Sequence, residues 1–186
     1  MKSLRIALSG GFLMAICALT FTQAFAQPEG KKTEAQMSFD KLKTLAGTWK
    51  GAIKVDPPQP GMGGDEGWVS FRVISRGNAL VHEMKQPGTP DDPGKDDPIT
   101  MLYLDEDRLI LTHYCDAGNR PRMAGKMSAD GKTVEFDFLD VAGGTQHGHM
   151  HHAIFTFVDD NHHIEDWTYM AGDQPIHARF DLQRAK

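Results

Sequence analysis

Two short segments carry the side chains that most often bind transition metals in proteins. The stretch from His147 to His152 contains four imidazoles, and His113 and Cys115 lie two residues apart. Residues two apart share a face of a strand, so His149 pairs with His151 and His113 pairs with Cys115. Imidazole and thiolate suit zinc, copper or iron, and these four residues predict one metal site. The alternative is that the histidines are hydrated side chains where a loop enters a strand.

A pair of arginines close behind this thiol predicts an anion-binding row. With a four-residue hairpin loop, His113 faces Arg122, and the next hairpin places Asp137 opposite Arg122. If the row points into a barrel, Arg120 and Arg122 would bind a carboxylate. Tyr114 is a further predicted ligand contact. If the row points outward, it is a surface salt-bridge ladder of little energetic value.

The other face of the same strands is apolar and resembles a core, which favours the outward orientation of the row. It carries Ile110, Thr112, Tyr114, Met123, Val134, Phe136 and Phe138. Whether the row points into the barrel or outward stays open at this point, because the interior of a ligand-binding barrel can be partly polar.

Catalysis is less favoured than binding. Cys115, His113 and Asp137 have the composition of a nucleophilic triad. His113 and Cys115 lie on one strand, however, and a lone Cys is more often a small buried hydrophobe. The sequence has no phosphate loop, serine nucleophile elbow or zinc-protease helix motif.

The N-terminus predicts export. Lys2 and Arg5 precede an apolar stretch that ends in Ala24-Phe25-Ala26, a small-x-small cleavage site. Residues 1–26 are therefore predicted to be a secretory signal peptide cleaved after Ala26, and the mature protein to be periplasmic or secreted. Residues 27–37 are predicted to be a disordered leader, and residues 38–186 one domain.

The mature chain is acidic, which argues against nucleic acid as a partner. The formal charge of -5 becomes -7 when Lys2 and Arg5 are removed, and no cluster of Lys or Arg remains. No segment after the signal peptide is long and apolar enough to span a membrane. Cys115 is the single Cys of the mature chain, so no intramolecular disulfide is possible. A small-molecule ligand is the expected partner, and the oligomeric state stays open.

The elements that must position these residues are predicted from periodicity. A short helix capped by Ser38 is followed by alternating apolar residues and by short turns rich in Gly, Asn and Asp, which favour antiparallel neighbours. Ten strands are predicted, over residues 48–55, 68–75, 79–85, 99–104, 108–115, 121–127, 132–140, 149–158, 162–170 and 176–184. The predicted fold class is all-β, a ten-stranded antiparallel up-and-down barrel with a short N-terminal helix. Two longer loops, residues 56–67 and 86–98, are predicted to bound its mouth.

The opening Leu45-Ala46-Gly47-Thr48-Trp49-Lys50-Gly51, followed by this meander, resembles the calycin superfamily of lipocalins, fatty-acid-binding proteins and nitrobindin. The resemblance implies that Trp49 closes the barrel floor beneath a cation from the last strand, either Arg184 or Arg179. The strand count and the opening are most similar to the nitrobindin branch, and a set of secreted bacterial barrels shares the opening.

Nitrobindin binds haem iron through a His near its C-terminus, and Gln174-Pro175-Ile176-His177 resembles that segment. The resemblance therefore implies that His177 is a haem ligand. The apolar alternation of Ile176, Ala178 and Phe180 favours the opposite, because it turns those residues inward and His177 outward.

These observations leave three hypotheses for function. The leading one is a secreted or periplasmic binding barrel for a small apolar or amphipathic ligand. The second is a redox or isomerising enzyme that depends on zinc, copper, iron or haem bound by the His and Cys residues named above. The third is a structural module of the cell envelope.

Overall fold

The computed structural model describes residues 31–90, 92, 94, 95 and 97–186, and these form a closed antiparallel barrel of ten strands. The strands are β1 (Gly47–Asp56), β2 (Gly64–Ile74), β3 (Ala79–Glu83), β4 (Ile99–Asp105), β5 (Arg108–Tyr114), β6 (Arg120–Met127), β7 (Thr133–Ala142), β8 (His149–Asp159), β9 (His162–Ala171) and β10 (Gln174–Arg184). Each strand pairs with its neighbours in sequence, and β1 pairs with β10 to close the barrel. The predicted fold class is confirmed. The predicted signal peptide lies outside the described residues.

Alternation and turn residues explain why the ten strands form where they were predicted. Along β7, for example, Val134 and Phe136 are buried while Glu135 and Asp137 are exposed, the period of a strand with one face in the core. Positive-φ glycines occupy the tight links, such as Gly131 at φ 68° and Gly172 at φ 63°, a conformation that costs glycine little.

Within the described part of the chain there is one α-helix, α1 (Glu34–Lys43), and it begins earlier than predicted. Its N-cap is Thr33, whose hydroxyl accepts a hydrogen bond from the backbone N–H of Gln36 at 3.1 Å. Ser38, the predicted cap, is buried in mid-helix and donates to the carbonyl of Glu34 at 2.8 Å. The last residues of the predicted disordered leader are therefore helical.

One end of the barrel is closed as the resemblance implied. Trp49 is fully buried and its indole N–H donates to the carbonyl of Leu45 at 2.7 Å. The guanidinium of Arg184 lies 4.1 Å from the centroid of that ring, and it also donates to the carbonyls of Ala46 and Thr44 just beyond α1. Arg179, the other candidate, is bound to Asp166 instead.

The hydrophobic core fills this closed end and the middle of the barrel. It includes Phe39, Leu42, Trp49, Phe71, Leu80, Leu102, Leu111, Met123, Phe136, Phe155 and Leu182. Among the described residues, no helix is long and apolar enough to cross a membrane.

Candidate functional site

A cavity of about 430 Å³ lies at the other end of the barrel. Its lining is mostly apolar and comes from the strands and from the loops between them: Met62, Met84, Pro98, His113, Cys115, Asp116, Ala117, His147, Met150, Trp167, Tyr169, Ile176, Ala178 and Phe180. Met62 belongs to the first long loop and Pro98 to the second. The two predicted mouth loops therefore contribute to the cavity.

His113 of β5 is a buried polar residue of the cavity lining. It is 2% exposed, and its ring lies 5.7 Å from the ring of Trp167. Its Nδ1 forms a hydrogen bond of 2.9 Å with the hydroxyl of Thr100, which lies directly opposite it on β4. Burial lowers the pKa of His113 to about 4, with a further lowering by the neighbouring His82. The imidazole is therefore neutral at pH 7 and can bind a ligand through Nε2.

A buried polar network centred on the carboxylate of Glu165 lies next to His113 and Trp167. Its Oε2 accepts a hydrogen bond from Nε2 of His82 at 3.0 Å and from the indole N–H of Trp167 at 2.9 Å. Its Oε1 accepts from Nε2 of His163 at 3.0 Å. Glu165 and both histidines have no exposed surface, so these three donors replace the water that an ionised carboxylate would otherwise need.

Opposing effects set the charge of Glu165. Burial raises the pKa of its carboxyl, but His82 and His163 lower it by more, and the net pKa lies well below the usual range. Glu165 is therefore ionised at neutral pH. Because it accepts at Nε2 of both histidines, their Nδ1 atoms are the remaining polar atoms, and neither has a partner among the described residues.

Trp167 connects the network to the cavity. One side of its ring stacks on His82, with centroids 5.6 Å apart and planes at 29°. Its N–H is already used by Glu165, so the indole offers the cavity a π surface and no donor.

The mouth of the cavity is fixed by hydrogen bonds between loops. The side-chain amide of Asn119 donates to the carbonyls of Gly144 and Gly148, at 3.0 and 2.6 Å. The hydroxyl of Tyr169 donates to the carbonyl of His147. These bonds hold the loop between β7 and β8 so that His147 lines the cavity.

The four residues predicted to bind one metal are divided between two places. His113 and Cys115 line the cavity, whereas His149 and His151 do not. The latter two are hydrogen-bonded to each other, with Nε2 of His149 3.1 Å from Nδ1 of His151, and both rings pack on Phe138. Contrary to the prediction, the structure does not assemble the four into one site. The physical reason is an irregularity of β8 between Met150 and His152, which changes the facing of these side chains.

A different group of three potential ligands occurs on the outer face of β7 and β8. Nε2 of His152 lies 2.9 Å from Oε1 of Glu135 and 3.8 Å from Oδ1 of Asp137. Both carboxylates are exposed, and in the described part of the chain this is the one group of three His, Cys, Asp or Glu side chains whose ligand atoms lie within 4.8 Å of each other. It is empty.

The arginine row faces outward and its register differs from the predicted one. Arg122 is opposite Thr112 and not His113. The β6–β7 register shifts after Arg122, so its partner is Asp140 and not Asp137, with Nε 2.8 Å from Oδ1. His113 consequently points inward, while Arg122 is half-buried on the outer face.

Arg120, Arg122 and Tyr114 line a groove of about 440 Å³ on the outer surface of β4, β5 and β6. Tyr114 is 49% exposed. These three predicted ligand contacts therefore lie outside the barrel, and they do not supply the interior with a cation for a carboxylate.

His177 is exposed on the outer face of β10, where its Nδ1 lies 3.1 Å from the hydroxyl of Thr168. Ile176 and Ala178 line the cavity in its place. The residue that the resemblance implied as a haem ligand thus does not fit a haem inside the barrel, because strand alternation directs it to solvent.

Sequence reasoning missed the Glu165 network. Its signal is the alternation His163, Glu165, Trp167 along β9, which places two polar residues on the face that also carries a buried Trp. His82 gives no comparable signal, because it reaches the network from β3, 83 residues away in sequence.

One comparison with a solved structure supports the fold. The structure of Rv2717c from M. tuberculosis is similar, with a TM-score of 0.51 and 16% sequence identity over 80% of this chain and 98% of that chain. A DUF3598 family protein of unknown function from Nostoc punctiforme gives a TM-score of 0.25 at 6% identity, over 83% of this chain and 100% of that chain. No family model and no curated protein sequence matches the chain. At this level of identity, the similarity to Rv2717c supports the barrel fold alone.

Proposed function

We propose that this protein is a binding barrel for a small, largely apolar ligand held in the cavity at the loop end. The observation that carries the proposal is the cavity itself, whose 430 Å³ falls in the range of small-molecule sites and whose lining is mainly apolar. Trp167 and Phe180 provide aromatic surface, and a few polar groups such as His113 provide orientation.

Methionines suit this role because their side chains are unbranched and adaptable. Met62, Met84 and Met150 line the cavity, and Met62 comes from the first mouth loop. Thioether side chains can repack around ligands of different outline and contact aromatic rings favourably. A Met-rich mouth therefore supports binding of apolar molecules that vary in shape.

We further propose that the protein is exported and works outside the cytoplasm, as a calycin-like carrier or receptor. The export part of the proposal rests on the N-terminal pattern that ends in Ala24-Phe25-Ala26. Mass spectrometry of protein from a periplasmic or culture-medium fraction should give a chain that begins at Gln27. An intact Met1 in every fraction would contradict the proposal.

A metal- or haem-dependent enzyme is less well supported. The four predicted metal ligands lie in two places, and His177 faces solvent. Binding without catalysis accounts for the cavity, whereas the proposed enzyme chemistry lacks an assembled set of ligands.

The binding proposal is tested by titration with N-phenyl-1-naphthylamine, a neutral dye whose fluorescence rises in apolar surroundings. We expect saturable binding, and we expect the variant Ala178→Phe to weaken it at least about tenfold by filling the cavity. The matched control is Ala52→Phe, because Ala52 pairs with the exposed Asp181 on the outer face. No saturable binding, or equal effects of both variants, would overturn the proposal.

A further inference from the structure

The hydrogen bond between Thr100 and His113 determines which nitrogen of the imidazole carries the proton. Thr100 is fully buried, and among the described residues its hydroxyl has one hydrogen bond, the 2.9 Å contact with Nδ1 of His113. If Nδ1–H donated to this oxygen, the hydroxyl hydrogen would remain buried without an acceptor among the described residues. That arrangement costs about 1–3 kcal/mol. The favoured arrangement has the hydroxyl donating to Nδ1, so that the neutral ring carries its hydrogen on Nε2.

The Nε2–H of His113 is then the donor that the strands present to the cavity. The indole N–H of Trp167 is used by Glu165, and the hydroxyl of Tyr169 is used by the carbonyl of His147. The other polar groups of the lining, on Cys115, Asp116 and His147, belong to the segments that follow β5 and β7, at the mouth.

The charges around the cavity select against anions. No Lys or Arg occurs among the described residues that line it, and Asp116 contributes a carboxylate. The pKa of His113 is lowered to about 4 by burial, so this ring does not supply a positive charge at pH 7. The arginines that would bind a carboxylate, Arg120 and Arg122, lie on the outer surface. An anionic headgroup would therefore be desolvated without a partner.

We infer that the ligand is a neutral, apolar molecule with a carbonyl or equivalent hydrogen-bond acceptor, which receives the Nε2–H of His113 while its apolar body packs on Trp167. This inference rests on the proposed function and defines the ligand class of the same cavity. It separates this barrel from carriers of free fatty acids, whose carboxylate requires a cation.

Three probes of nearly equal size test the inference by competition with the dye: 2-acetylnaphthalene, 2-ethylnaphthalene and 2-naphthoate. The acetyl probe presents a neutral hydrogen-bond acceptor, the ethyl probe presents no acceptor, and 2-naphthoate presents an anion. We expect 2-naphthoate to bind at least about tenfold more weakly than 2-acetylnaphthalene. Binding of 2-naphthoate as tight as that of 2-acetylnaphthalene would overturn the inference.

The contribution of His113 is isolated by comparing variants, because the three probes also differ in hydrophobicity. His113→Leu should weaken 2-acetylnaphthalene about three- to tenfold, the usual size of one neutral hydrogen bond, and leave 2-ethylnaphthalene unchanged. His113→Gln keeps an N–H donor and should restore part of the loss, which also covers the case that the Leu variant does not fold. The control His162→Leu alters an outer-face residue bound to Asp181 and should change neither probe.

Side-chain nitrogen NMR gives a second readout that does not depend on affinity. The His113 ring should show the Nε2–H tautomer at pH 7, and Thr100→Val should release this preference. An Nδ1–H tautomer, or equal losses of the acetyl and ethyl probes in His113→Leu, would overturn the inference while the binding function stands. If the dye and all three probes fail to bind, the proposed function itself is wrong.

Discussion

At the scale of single residues, His113 makes stability depend on pH. Its pKa is about 4 in the folded protein against an ordinary value of 6.5, so the unfolded chain binds this proton first as the pH falls. The resulting loss of folding stability is small above pH 6.5 and grows as the pH drops towards 4. Between pH 7 and pH 5 it should reduce the free energy of unfolding by about 2 kcal/mol.

Urea unfolding at pH 7 and pH 5 checks this prediction. The variant His113→Phe should lose that part of the pH dependence, whereas His177→Phe, a change on the outer surface, should keep the wild-type dependence. An unchanged pH dependence in His113→Phe would show that His113 titrates normally.

Glu165 is the residue whose loss should cost most. Glu165→Leu leaves three buried donors, those of His82, His163 and Trp167, without their acceptor. We expect a loss of about 3–5 kcal/mol at pH 7, as for other broken buried ion pairs. The matched control is Glu135→Leu, an exposed carboxylate bound to His152, which should cost at most about 1 kcal/mol. Thermal or urea unfolding distinguishes the two, and equal costs would contradict the prediction.

At the scale of elements, the junction between α1 and the barrel depends on Arg184. One guanidinium contacts the ring of Trp49 and binds the carbonyls of Thr44 and Ala46. Arg184→Ala removes these interactions together and should destabilise the protein by about 2–3 kcal/mol.

Arg179→Ala is the control, because Arg179 also belongs to β10 but forms an exposed ion pair with Asp166 of β9. It should change the free energy of unfolding by less than about 1 kcal/mol. Urea unfolding of the two variants also tests whether Arg184, and not Arg179, is the cation that packs on Trp49 at the closed end of the barrel.

At the scale of the whole molecule, closure requires a glycine where β1 meets β10. A Cβ on Gly51 would lie 1.8 Å from the carbonyl oxygen of Asp181, a backbone atom that cannot move without separating the two strands. A clash this close with a backbone atom should cost about 3 kcal/mol, the upper end for overpacking. At about 2–4 °C per kcal/mol for a domain of this size, Gly51→Ala should lower the melting temperature by about 6–12 °C.

Gly94→Ala is the matched control for closure. Among the described residues of the second long loop, its Cβ would meet the side chain of Asp92, at 3.3 Å. We expect a change within about 2 °C. Calorimetry that finds equal shifts for the two variants would show that the β1–β10 contact does not limit stability.

Local sequence determined the number of strands, their positions and their antiparallel order. Alternation and turn residues are encoded within each segment, and a meander of short links leaves few ways to pair. The resemblance of the opening segment implied a cation over Trp49 but left Arg184 and Arg179 open, and the register of β1 with β10 decided for Arg184. The helix was predicted, but its start was not, because Thr33 and Ser38 are both acceptable caps and tertiary burial of Ser38 decided between them.

Only the tertiary structure decided the site. Alternation shows that His113 and Cys115 share a face, but not whether that face points inward, and a shift of one residue in pairing exchanges the two sides. Here Arg122 pairs with Thr112, so His113 enters the cavity while the arginines remain outside. The network around Glu165 joins β3 to β9 across the barrel, and no local pattern encodes a contact between residues so far apart in sequence.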